Sequence, residues 1–175
     1  MRLEEFTRPK EMEDAEPILN KAGWNIIATG YWGAVYAKEG VDYVLKLFDS
    51  RDKGYPDFLK LVAAHPNKHF PRIKGGLIRV TPYYWAVRME KLLPSTDEDP
   101  HLGVYLICRD KGPHPGNDVQ IEAFSQTLDY LIDHQELKKA LDLIKDNLVD
   151  KHGQDLHRQN VMRRADGTLV IIDPV

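Results

Sequence analysis

The sequence KHGQDLHRQNVMRRADGTLVIIDPV, residues 151–175, contains the pattern from which the fold is inferred. Its first part is a short polar loop, and the pair Asp166-Gly167 is a turn signal. The apolar run LVII at 169–172 is rich in β-branched residues and is typical of a buried strand. Pro174 ends that strand, because proline has no amide hydrogen to give to a sheet. The stretch is therefore predicted to form a loop, a turn and a strand.

Three polar side chains in this stretch can carry chemistry. Asp155 lies in the loop, Asn160 follows five positions later, and Asp173 stands directly after the strand. A hairpin can bring such residues together at one end of a sheet. One carboxylate can then orient a hydroxyl group, while an amide oxygen and a second carboxylate are the hard oxygen ligands that Mg²⁺ prefers. The alternative is a polar surface loop that leads into a buried edge strand.

The same residues resemble a known family. The run DLHRQN at 155–160, followed by Ile172-Asp173, resembles the catalytic loop and metal-binding aspartate of the protein-kinase-like superfamily. The run HGQDLH at 152–157 is similar to the HGDLH loop of aminoglycoside phosphotransferases with one additional residue, Gln154. Short kinase-like proteins of bacteriophages look similar as well. The resemblance implies that the loop carboxylate is catalytic and that the amide and the second carboxylate hold Mg²⁺.

Composition restricts the classes of protein to be considered. A length of 175 residues suffices for one domain or for two small lobes, and 42% hydrophobic with 29% charged residues is typical of a soluble globular protein. The net charge of −3 gives no electrostatic reason to expect binding to nucleic acid or to an anionic membrane. The single cysteine, Cys108, fits a reducing compartment, and neither a signal peptide nor a membrane-spanning run is evident. We therefore expect a soluble cytoplasmic protein that binds neither nucleic acid nor membranes.

The N-terminal half has strand patterns on either side of a helical pattern. Apolar spacing predicts a lead-in helix first, which packs on the domain or contacts a partner. A second helix is predicted from the helical spacing of its apolar residues and from a proline in its first turn. The predicted elements are a helix at 11–22, a hairpin at 25–36, a strand at 43–48, a helix at 54–64 and strands at 76–80 and 83–89.

The C-terminal half is predicted to be mainly helical. Residues 118–149 have an apolar face at helical spacing and are expected to break near His134. The apolar run VYLI at 104–107 predicts a short strand without an evident neighbour. The acidic tract at 97–99 is interpreted as a solvated loop rather than as a binding site.

A glycine turn precedes a lysine that stands inside an apolar strand. The run ATGYWGAV at 28–35 resembles the phosphate-covering loop of the family, in which Gly30 and Gly33 would let backbone amides approach phosphate oxygens. Lys46 lies within VLKLF and is costly to bury unless its ammonium group meets a negative partner. The resemblance implies that Lys46 contacts the α- and β-phosphates of ATP. The alternative is an edge strand or a half-exposed strand in which Lys46 faces water.

The carboxylate that would hold this lysine departs from the family pattern. The family places a glutamate on the following helix, whereas residues 50–65 contain none. Asp52 and Asp57 are the available carboxylates, and the sequence leaves the choice between them open.

The last predicted strand of the N-terminal half ends at Met89 and leads into a loop, as the base-binding hinge does in the family. The resemblance implies that backbone groups of Met89, Glu90 and Lys91 contact adenine.

The histidines are interpreted as structural. His65 and His69 are four positions apart, but Pro66 lies between them, so a helical pair of metal ligands is not expected. His152 and His157 flank the candidate catalytic carboxylate, and we expect them to brace the loop by hydrogen bonds.

Together these patterns follow the order of the family from about residue 24 to 175. We expect an α+β, protein-kinase-like bilobal fold. Residues 1–90 would form an N-lobe with an antiparallel sheet and one helix besides the lead-in segment, and residues 91–175 a truncated, mainly helical C-lobe. Because the sequence stops two residues after Asp173, we expect the acceptor-binding helices of the family to be absent.

The resemblance implies an ATP- and Mg²⁺-dependent phosphotransferase, and the short second lobe favours a minimal serine/threonine protein kinase that acts on a protein partner. Aminoglycoside-type enzymes hold small acceptors in the helices that we expect to be absent, which makes a small-molecule acceptor less expected. The alternative is a pseudoenzyme that binds nucleotide or a partner protein as an inhibitor or regulator. The missing glutamate favours the pseudoenzyme, whereas Lys46, Asp155, Asn160 and Asp173 favour the enzyme.

Overall fold

The structure, a computed structural model, describes residues 12–30, 32–96 and 99–175. Three of the predicted features of the chain fall partly outside these ranges. They are the predicted first residue of the lead-in helix, one residue of the glycine turn and most of the acidic tract: Glu11, Tyr31, Asp97 and Glu98.

The described residues form two compact units, and the chain crosses between them more than once. The mixture of helices with an antiparallel sheet confirms the predicted α+β class. The first unit contains residues 12–52 and 72–91, and the second unit contains residues 53–71 and 92–175.

The predicted lobes differ from these units at residues 53–71 and at Lys91, which belongs to the first unit. Residues 53–71 were assigned to the N-lobe by the order of elements, but they belong to the second unit. The physical reason is their hydrogen bonding to residues far along the chain. Asn67 donates to the carbonyl oxygen of Glu136 at 2.9 Å, and the carbonyl oxygen of His69 accepts from the amide of Ile171 at 2.9 Å.

The first unit is built on a five-stranded antiparallel sheet with the order β1-β2-β3-β5-β4. One helix precedes the sheet. The elements are α1, Met12–Lys21; β1, Asn25–Thr29; β2, Gly33–Ala37; β3, Tyr43–Asp49; β4, Ile73–Arg79; and β5, Tyr84–Glu90. The predicted strands are therefore confirmed, with ends displaced by a few residues.

The core of the first unit follows from side-chain alternation along the strands. Ala34 and Tyr36 of β2 are buried, and so are Tyr84 and Ala86 of β5, because alternate residues of a strand point to the same face. Helix α1 covers this face, and its buried Leu19 belongs to the same hydrophobic cluster.

The second unit is mainly helical and also contains a three-stranded antiparallel sheet with the order β6-β7-β8. A π-helical turn and a 3₁₀ turn interrupt the regular elements. The elements are α2, Gly54–Ala64; β6, Leu93–Pro94; α3, Leu102–Cys108; α4, Asp118–Asp133; α5, Gln135–Ile144; the π-helical turn, Lys145–Val149; α6, Asp150–His152; the 3₁₀ turn, Arg158–Asn160; β7, Val161–Arg163; and β8, Leu169–Ile171.

The predicted strand at 104–107 is wrong, because these residues lie in helix α3. A four-residue apolar run does not by itself separate a strand from a helix. Leu102, Tyr105 and Leu106 are buried at helical spacing, whereas Ile107 is exposed. The last residue of α3, Cys108, is fully buried, and this burial raises the pKa of its thiol.

The predicted break in the long helical region is confirmed at His134, which separates α4 from α5. Its ring stacks on that of Tyr130 with 3.9 Å between ring centroids. Most of the leucines and isoleucines at helical spacing in α5 and the π-helical turn are buried, whereas Leu128 of α4 is exposed. In the described ranges, no helix has both the length and the apolar character that crossing a bilayer requires.

Candidate functional site

The loop that carries the candidate catalytic carboxylate begins at Gly153. Its φ of +83° lies in the left-handed region that favours glycine, and it turns the chain out of α6. The side-chain oxygen of Gln154 accepts a hydrogen bond from the amide of Leu156 at 2.9 Å. The residue that is additional to the HGDLH pattern therefore shapes the main chain of the loop.

The main chain of Asp155 is held on both sides, while its carboxylate faces solvent. Its amide donates to the carbonyl oxygen of Pro174 at 2.9 Å, and its carbonyl oxygen accepts from the amide of His157 at 2.9 Å. Asn160 Nδ2 donates to the same carbonyl oxygen at 2.8 Å. The Asp155 side chain is 68% exposed. A fixed backbone with an accessible carboxylate is the arrangement that a proton acceptor for an external hydroxyl group requires.

The side-chain amide of Asn160 has a defined orientation. The Asp155 carbonyl oxygen can only accept a hydrogen bond, so the NH₂ group of Asn160 must face it. Its Oδ1 therefore lies on the opposite side of the amide group. Asn160 Nδ2 also lies 3.5 Å from Asp155 Oδ2, which places the two side chains next to each other.

Asp173 is placed beside these two residues by its chain neighbours. The amide of Ile172 donates to the carbonyl oxygen of Asn160 at 2.9 Å, and the carbonyl oxygen of Pro174 accepts from the amide of Asp155 at 2.9 Å. The residue between these two contacts is Asp173. The structure thus brings together the three polar residues that the sequence predicts at the end of the hairpin.

His157 braces this loop, in agreement with its structural interpretation. Its Nδ1 accepts a hydrogen bond from the amide of Gln159 at 3.2 Å. Its Nε2 lies 3.2 Å from Asn160 Nδ2 and 3.8 Å from Asp155 Oδ2. The imidazole therefore spans the loop between the candidate catalytic carboxylate and the amide.

His69 supports the strand that leads to Asp173. Its Nδ1 lies 2.7 Å from the carbonyl oxygen of Leu169, so Nδ1 carries the proton of this hydrogen bond. Burial of the imidazole lowers its pKa, which favours the neutral ring at neutral pH. This histidine is structural, as expected, and it fixes β8 from the side.

Helix α2 is tied to the start of the loop by one carboxylate. Asp57 Oδ2 accepts from Lys151 Nζ at 2.7 Å and lies 3.0 Å from His152 Nε2, while Oδ1 accepts from Lys60 Nζ at 2.7 Å. Hydrogen bonds from Lys151, Lys60 and His152 hold the pKa of Asp57 well below its usual range. Both carboxylate oxygens are therefore engaged within the second unit.

Asp57→Asn is expected to lower the free energy of unfolding at neutral pH by about 1–2 kcal/mol. Hydrogen bonds to charged groups contribute about 1.5–3 kcal/mol to the free energy of unfolding. Because Lys60 and Lys151 are exposed, their ion pairs with Asp57 contribute less than buried ones would. Because the folded-state pKa of Asp57 is lowered, this contribution is present above the ordinary value of 3.8 and is lost as the pH falls below it. The variant should therefore lose less stability than the parent on acidification.

Urea unfolding at neutral pH and near pH 3 measures both effects. Asp129→Asn, the same chemical change at an exposed position of α4, is the control and should stay within about 0.5 kcal/mol of the parent. Equal stability of Asp57→Asn and the parent at both pH values would contradict the role assigned to this carboxylate.

Helix α3 lies directly against the loop at Gly103. A β-carbon at Gly103 would overlap the carbonyl oxygen of Leu156, so only glycine fits without a shift of the backbone. Ser95 Oγ also donates to the carbonyl oxygen of Arg158 at 3.0 Å. The segment that follows the candidate catalytic carboxylate is thus fixed by neighbouring main chain and side chains.

Lys46, the predicted phosphate-binding lysine, lies in the first unit. Lys46 is buried at the centre of β3, opposite Val35 of β2 and Val87 of β5. The alternative of a half-exposed strand is therefore wrong, since residues 44–49 are all buried. Both oxygens of Asp57 bind cations of the second unit, so Asp52 is the one of the two carboxylates that remains as a hypothesis for holding Lys46.

The packing of the sheet requires glycine at one position of the glycine turn, Gly33. The amide of Gly30 donates to the carbonyl oxygen of Gly33 at 2.8 Å, which closes the turn. A β-carbon at Gly33 would overlap the carbonyl oxygen of Leu47 in β3, so the sheet itself demands glycine there. The turn leads into β2, whose third residue, Val35, pairs with Lys46.

The predicted adenine-binding residues lie at the end of β5. Met89 is buried and pairs with both β3 and β4. The amide of Glu90 donates to the carbonyl oxygen of Arg72 at 3.0 Å, and Glu90 Oε1 accepts from the Arg72 amide at 2.8 Å. Lys91 is exposed. Contact with a base would therefore fall to main-chain groups other than the Glu90 amide.

Among the described residues, no group of three or more His, Cys, Asp or Glu side chains is arranged to hold a metal ion. The predicted Mg²⁺ ligands, Asn160 and Asp173, include only one carboxylate, so they would not form such a group. An amide oxygen with one carboxylate fits Mg²⁺, which keeps several water ligands and binds through one or two carboxylates plus substrate phosphates.

Asp99 corrects the interpretation of the acidic tract. It is buried, Thr96 donates to Oδ2 through its amide at 2.7 Å, and Arg163 Nε donates to the same oxygen at 2.9 Å. Burial opposes ionisation of Asp99, but Arg163 and Thr96 outweigh it and lower the pKa. Asp99 therefore anchors β7 and is not part of a solvated loop.

Comparison of the sequence with protein-family models and with curated proteins gives no match.

Proposed function

We propose that the protein has a protein-kinase-like bilobal fold and is an ATP- and Mg²⁺-dependent phosphotransferase, a minimal serine/threonine protein kinase that acts on a protein partner. The observation that supports this proposal is the arrangement of Asp155, Asn160 and Asp173 in the second unit. Their backbones are joined by hydrogen bonds through Ile172 and Pro174, and the Asp155 carboxylate faces solvent. This arrangement suits phosphoryl transfer, in which catalysis consists mainly of positioning and electrostatic stabilisation.

Each candidate residue has a role in this proposal. Asp155 orients the acceptor hydroxyl and takes its proton, while the acceptor oxygen bonds to the γ-phosphorus of ATP and the bond to ADP breaks. Asn160 and Asp173 hold Mg²⁺, which neutralises charge on the phosphates. Lys46 contacts the α- and β-phosphates. In the first unit, Gly30 and Gly33 form the phosphate-covering turn, and main-chain groups of Met89, Glu90 and Lys91 contact adenine.

One observation favours the alternative of a pseudoenzyme that binds nucleotide or a partner protein without phosphoryl transfer. Residues 50–65 contain no glutamate, and both oxygens of Asp57 are engaged with cations of the second unit. The glutamate that the family places on the helix after the lysine has no counterpart in residues 50–65. Asp52 remains the candidate for that role.

Transfer of labelled phosphate tests the proposal. The protein is incubated with γ-labelled ATP and Mg²⁺, first alone and then with a cell lysate. The expected result is label on the protein itself or on a lysate protein. Nucleotide binding without any labelled product in either incubation would favour the pseudoenzyme.

MgATP is expected to raise the unfolding temperature. Ligand at about 100 times its dissociation constant stabilises the folded state by roughly 2.7 kcal/mol. Lys46→Met should weaken this response, because the buried ammonium group is the proposed phosphate contact. A melting curve that millimolar MgATP leaves unchanged would count against nucleotide binding.

The control for this prediction is Lys139→Met, the same change at an exposed position of α5. It should respond to MgATP as the parent does. For each variant, the melting temperature with MgATP is compared with that of the same variant without nucleotide. A loss of stability caused by substitution of a buried residue is thereby separated from a loss of binding.

A further inference from the structure

Helix α4 carries apolar side chains on the side that faces solvent as well as on its buried side. Leu131 is buried, whereas Ile121, Leu128 and Ile132 are exposed, and Ile132 is 65% exposed. Successive residues of an α-helix are rotated by about 100°, so the three exposed side chains form one row that extends over about three turns. We call this row, with the exposed Ser125 between Ile121 and Leu128, the apolar stripe.

The spacing of the apolar stripe is that of a helix that packs against another helix. Its members follow one another at intervals of four, three and four residues, the pattern of a coiled-coil seam. In such packing, a side chain of the partner enters a hole formed by residues i, i+3, i+4 and i+7 of the facing helix. One such set is Ser125, Leu128, Asp129 and Ile132. The small side chain of Ser125 leaves room in this set for an apolar side chain of a partner.

A row of carboxylates runs beside the apolar stripe. We call it the acidic row, and its members, all exposed, are Asp118, Glu122, Asp129 and Asp133. Helix α4 contains no lysine, arginine or histidine. On the neighbouring helices, Arg109 and Lys138 form ion pairs with Asp142. Among the described residues, no basic side chain forms an ion pair with a member of the acidic row, so its negative charge is not neutralised there.

The acidic row is unfavourable for the isolated helix. Asp118 and Glu122 are four positions apart, as are Asp129 and Asp133, and like charges at this spacing repel each other across one turn. Asp133 is also the last residue of α4, where the helix dipole disfavours negative charge. Positive charge on a partner would relieve both effects. Charge complementarity therefore favours a basic partner for this face.

We propose that the solvent-facing side of α4 binds an amphipathic α-helix of a partner protein, in which an apolar seam is flanked by lysine or arginine. The seam packs along the apolar stripe, and the basic side chains reach the acidic row. A second copy of this chain fits less well, because antiparallel pairing about a two-fold axis would set the two acidic rows against each other. The inference goes beyond the proposed function and does not depend on phosphoryl transfer.

Binding of three dye-labelled helical peptides to the full chain tests the inference by fluorescence anisotropy. The first peptide has leucine at the seam positions of each heptad and lysine at the flanking positions. The second has glutamate in place of lysine, and the third has alanine in place of leucine. The leucine–lysine peptide is expected to bind at least about tenfold more tightly than either of the others, a difference of about 1.4 kcal/mol. Equal binding of all three peptides would overturn the inference.

Two variants of the same helix supply the matched comparison. Ile132→Asn places an amide in the apolar stripe and should lose most of the preference for leucine over alanine. Val119→Asn makes a similar change at a side chain that is 79% exposed and is rotated by about 140° from Ile132 around the helix axis, so it should retain the preference. Because both positions are exposed, both variants are expected to fold, and urea unfolding verifies this. The same loss in both variants, or no loss in Ile132→Asn, would overturn the inference.

A charge reversal tests the acidic row. Glu122→Lys should weaken binding of the leucine–lysine peptide by about two- to fivefold, the scale of exposed ion pairs, and should strengthen binding of the leucine–glutamate peptide. Glu39→Lys makes the same change in net charge at an exposed residue of the first unit and should leave both affinities unchanged. Equal effects of the two variants would mean that net charge alone attracts the peptide, which would overturn the inference.

Two further outcomes would replace the partner helix by another occupant. Concentration-dependent dimerisation of the chain that Ile132→Asn abolishes would assign the face to a second copy. Binding to phosphatidylcholine vesicles that the same variant abolishes would assign the face to a membrane surface. Either outcome would overturn the inference.

Peptide binding and phosphate transfer fail independently. If the leucine–lysine peptide binds with the expected preference while the protein transfers no phosphate from MgATP, the assignment of the α4 face stands and the proposed function fails. If phosphate is transferred but the three peptides bind equally, the proposed function stands and the assignment of the α4 face is overturned.

Discussion

Asp155→Asn is expected to bind MgATP as the parent does and to lose phosphate transfer by about a hundredfold or more, the scale of a positioned acid or base. Asp155 faces the acceptor rather than the nucleotide in the proposed roles, so its loss should affect turnover and leave ATP affinity unchanged. Its main chain makes hydrogen bonds to Pro174 and His157 that asparagine can also make. The comparison measures labelled phosphate on the protein or on a substrate, together with MgATP affinity by calorimetry.

Asp129→Asn is the matched control, since it makes the same chemical change at an exposed carboxylate of the same unit. It should retain transfer. If Asp155→Asn transfers phosphate as fast as the parent, another group acts as the base, or the activity belongs to a contaminant. If neither protein transfers phosphate to itself or to lysate proteins, the binding-protein alternative is favoured.

Asp173→Asn is expected to remove most of the Mg²⁺ dependence of nucleotide binding. In the proposed site, the carboxylate is the one charged protein ligand of the metal, and an amide carries no charge. A loss of about tenfold or more in the gain that Mg²⁺ gives to ATP affinity is expected, since even residues that only support metal ligands reach this scale. Calorimetric titration of ATP with and without Mg²⁺ measures this gain.

Asp166→Asn is the control for this prediction, because it lies in the turn of the same hairpin. Its Oδ1 accepts from the amide of Thr168 at 2.9 Å, a bond that asparagine can also make. If Asp173→Asn binds MgATP with the full Mg²⁺ gain of the parent, Asp173 serves only to end the strand.

Periodicity predicts those elements of this fold whose residues pack against near neighbours in the sequence. The strands of the first sheet have clear alternation, as in Ala34 and Tyr36, and the long helical region has an apolar stripe with a break at His134. Helix α3 was predicted as a strand because four apolar residues in a row have no period. In the folded chain Gly103 of this helix packs against Leu156, a contact across more than fifty positions that the local pattern does not contain.

The assignment of helix α2 to a unit depends on partners that its own sequence does not contain. The order of elements places α2 with the sheet of the first unit, but Asp57 binds Lys151, which lies 94 positions later. Nothing in the local pattern around Asp57 distinguishes it from an ordinary exposed carboxylate. The same is true of Asp99, whose partner Arg163 lies 64 positions later.

The candidate site also has one part that the sequence predicts and another part that it does not. Asp155, Asn160 and Asp173 are close in sequence, so their spacing alone predicts that a hairpin can bring them together. His157 was expected to brace the loop, but the bracing roles of His69 and Asp57 were not predicted, because His69 reaches Leu169 across 100 positions and Asp57 reaches His152 across 95. A local motif thus indicates which residues converge, while the groups that hold them become evident only in the folded chain.

The burial of Cys108 has a practical consequence for labelling. It is the one cysteine of the sequence, it is inaccessible at the end of α3, and its raised pKa disfavours the thiolate that reacts with maleimides. A cysteine introduced in place of the exposed Val119 would therefore react far faster than Cys108. The unmodified chain already provides a background for attaching a single dye at the first turn of α4, without removal of a native thiol.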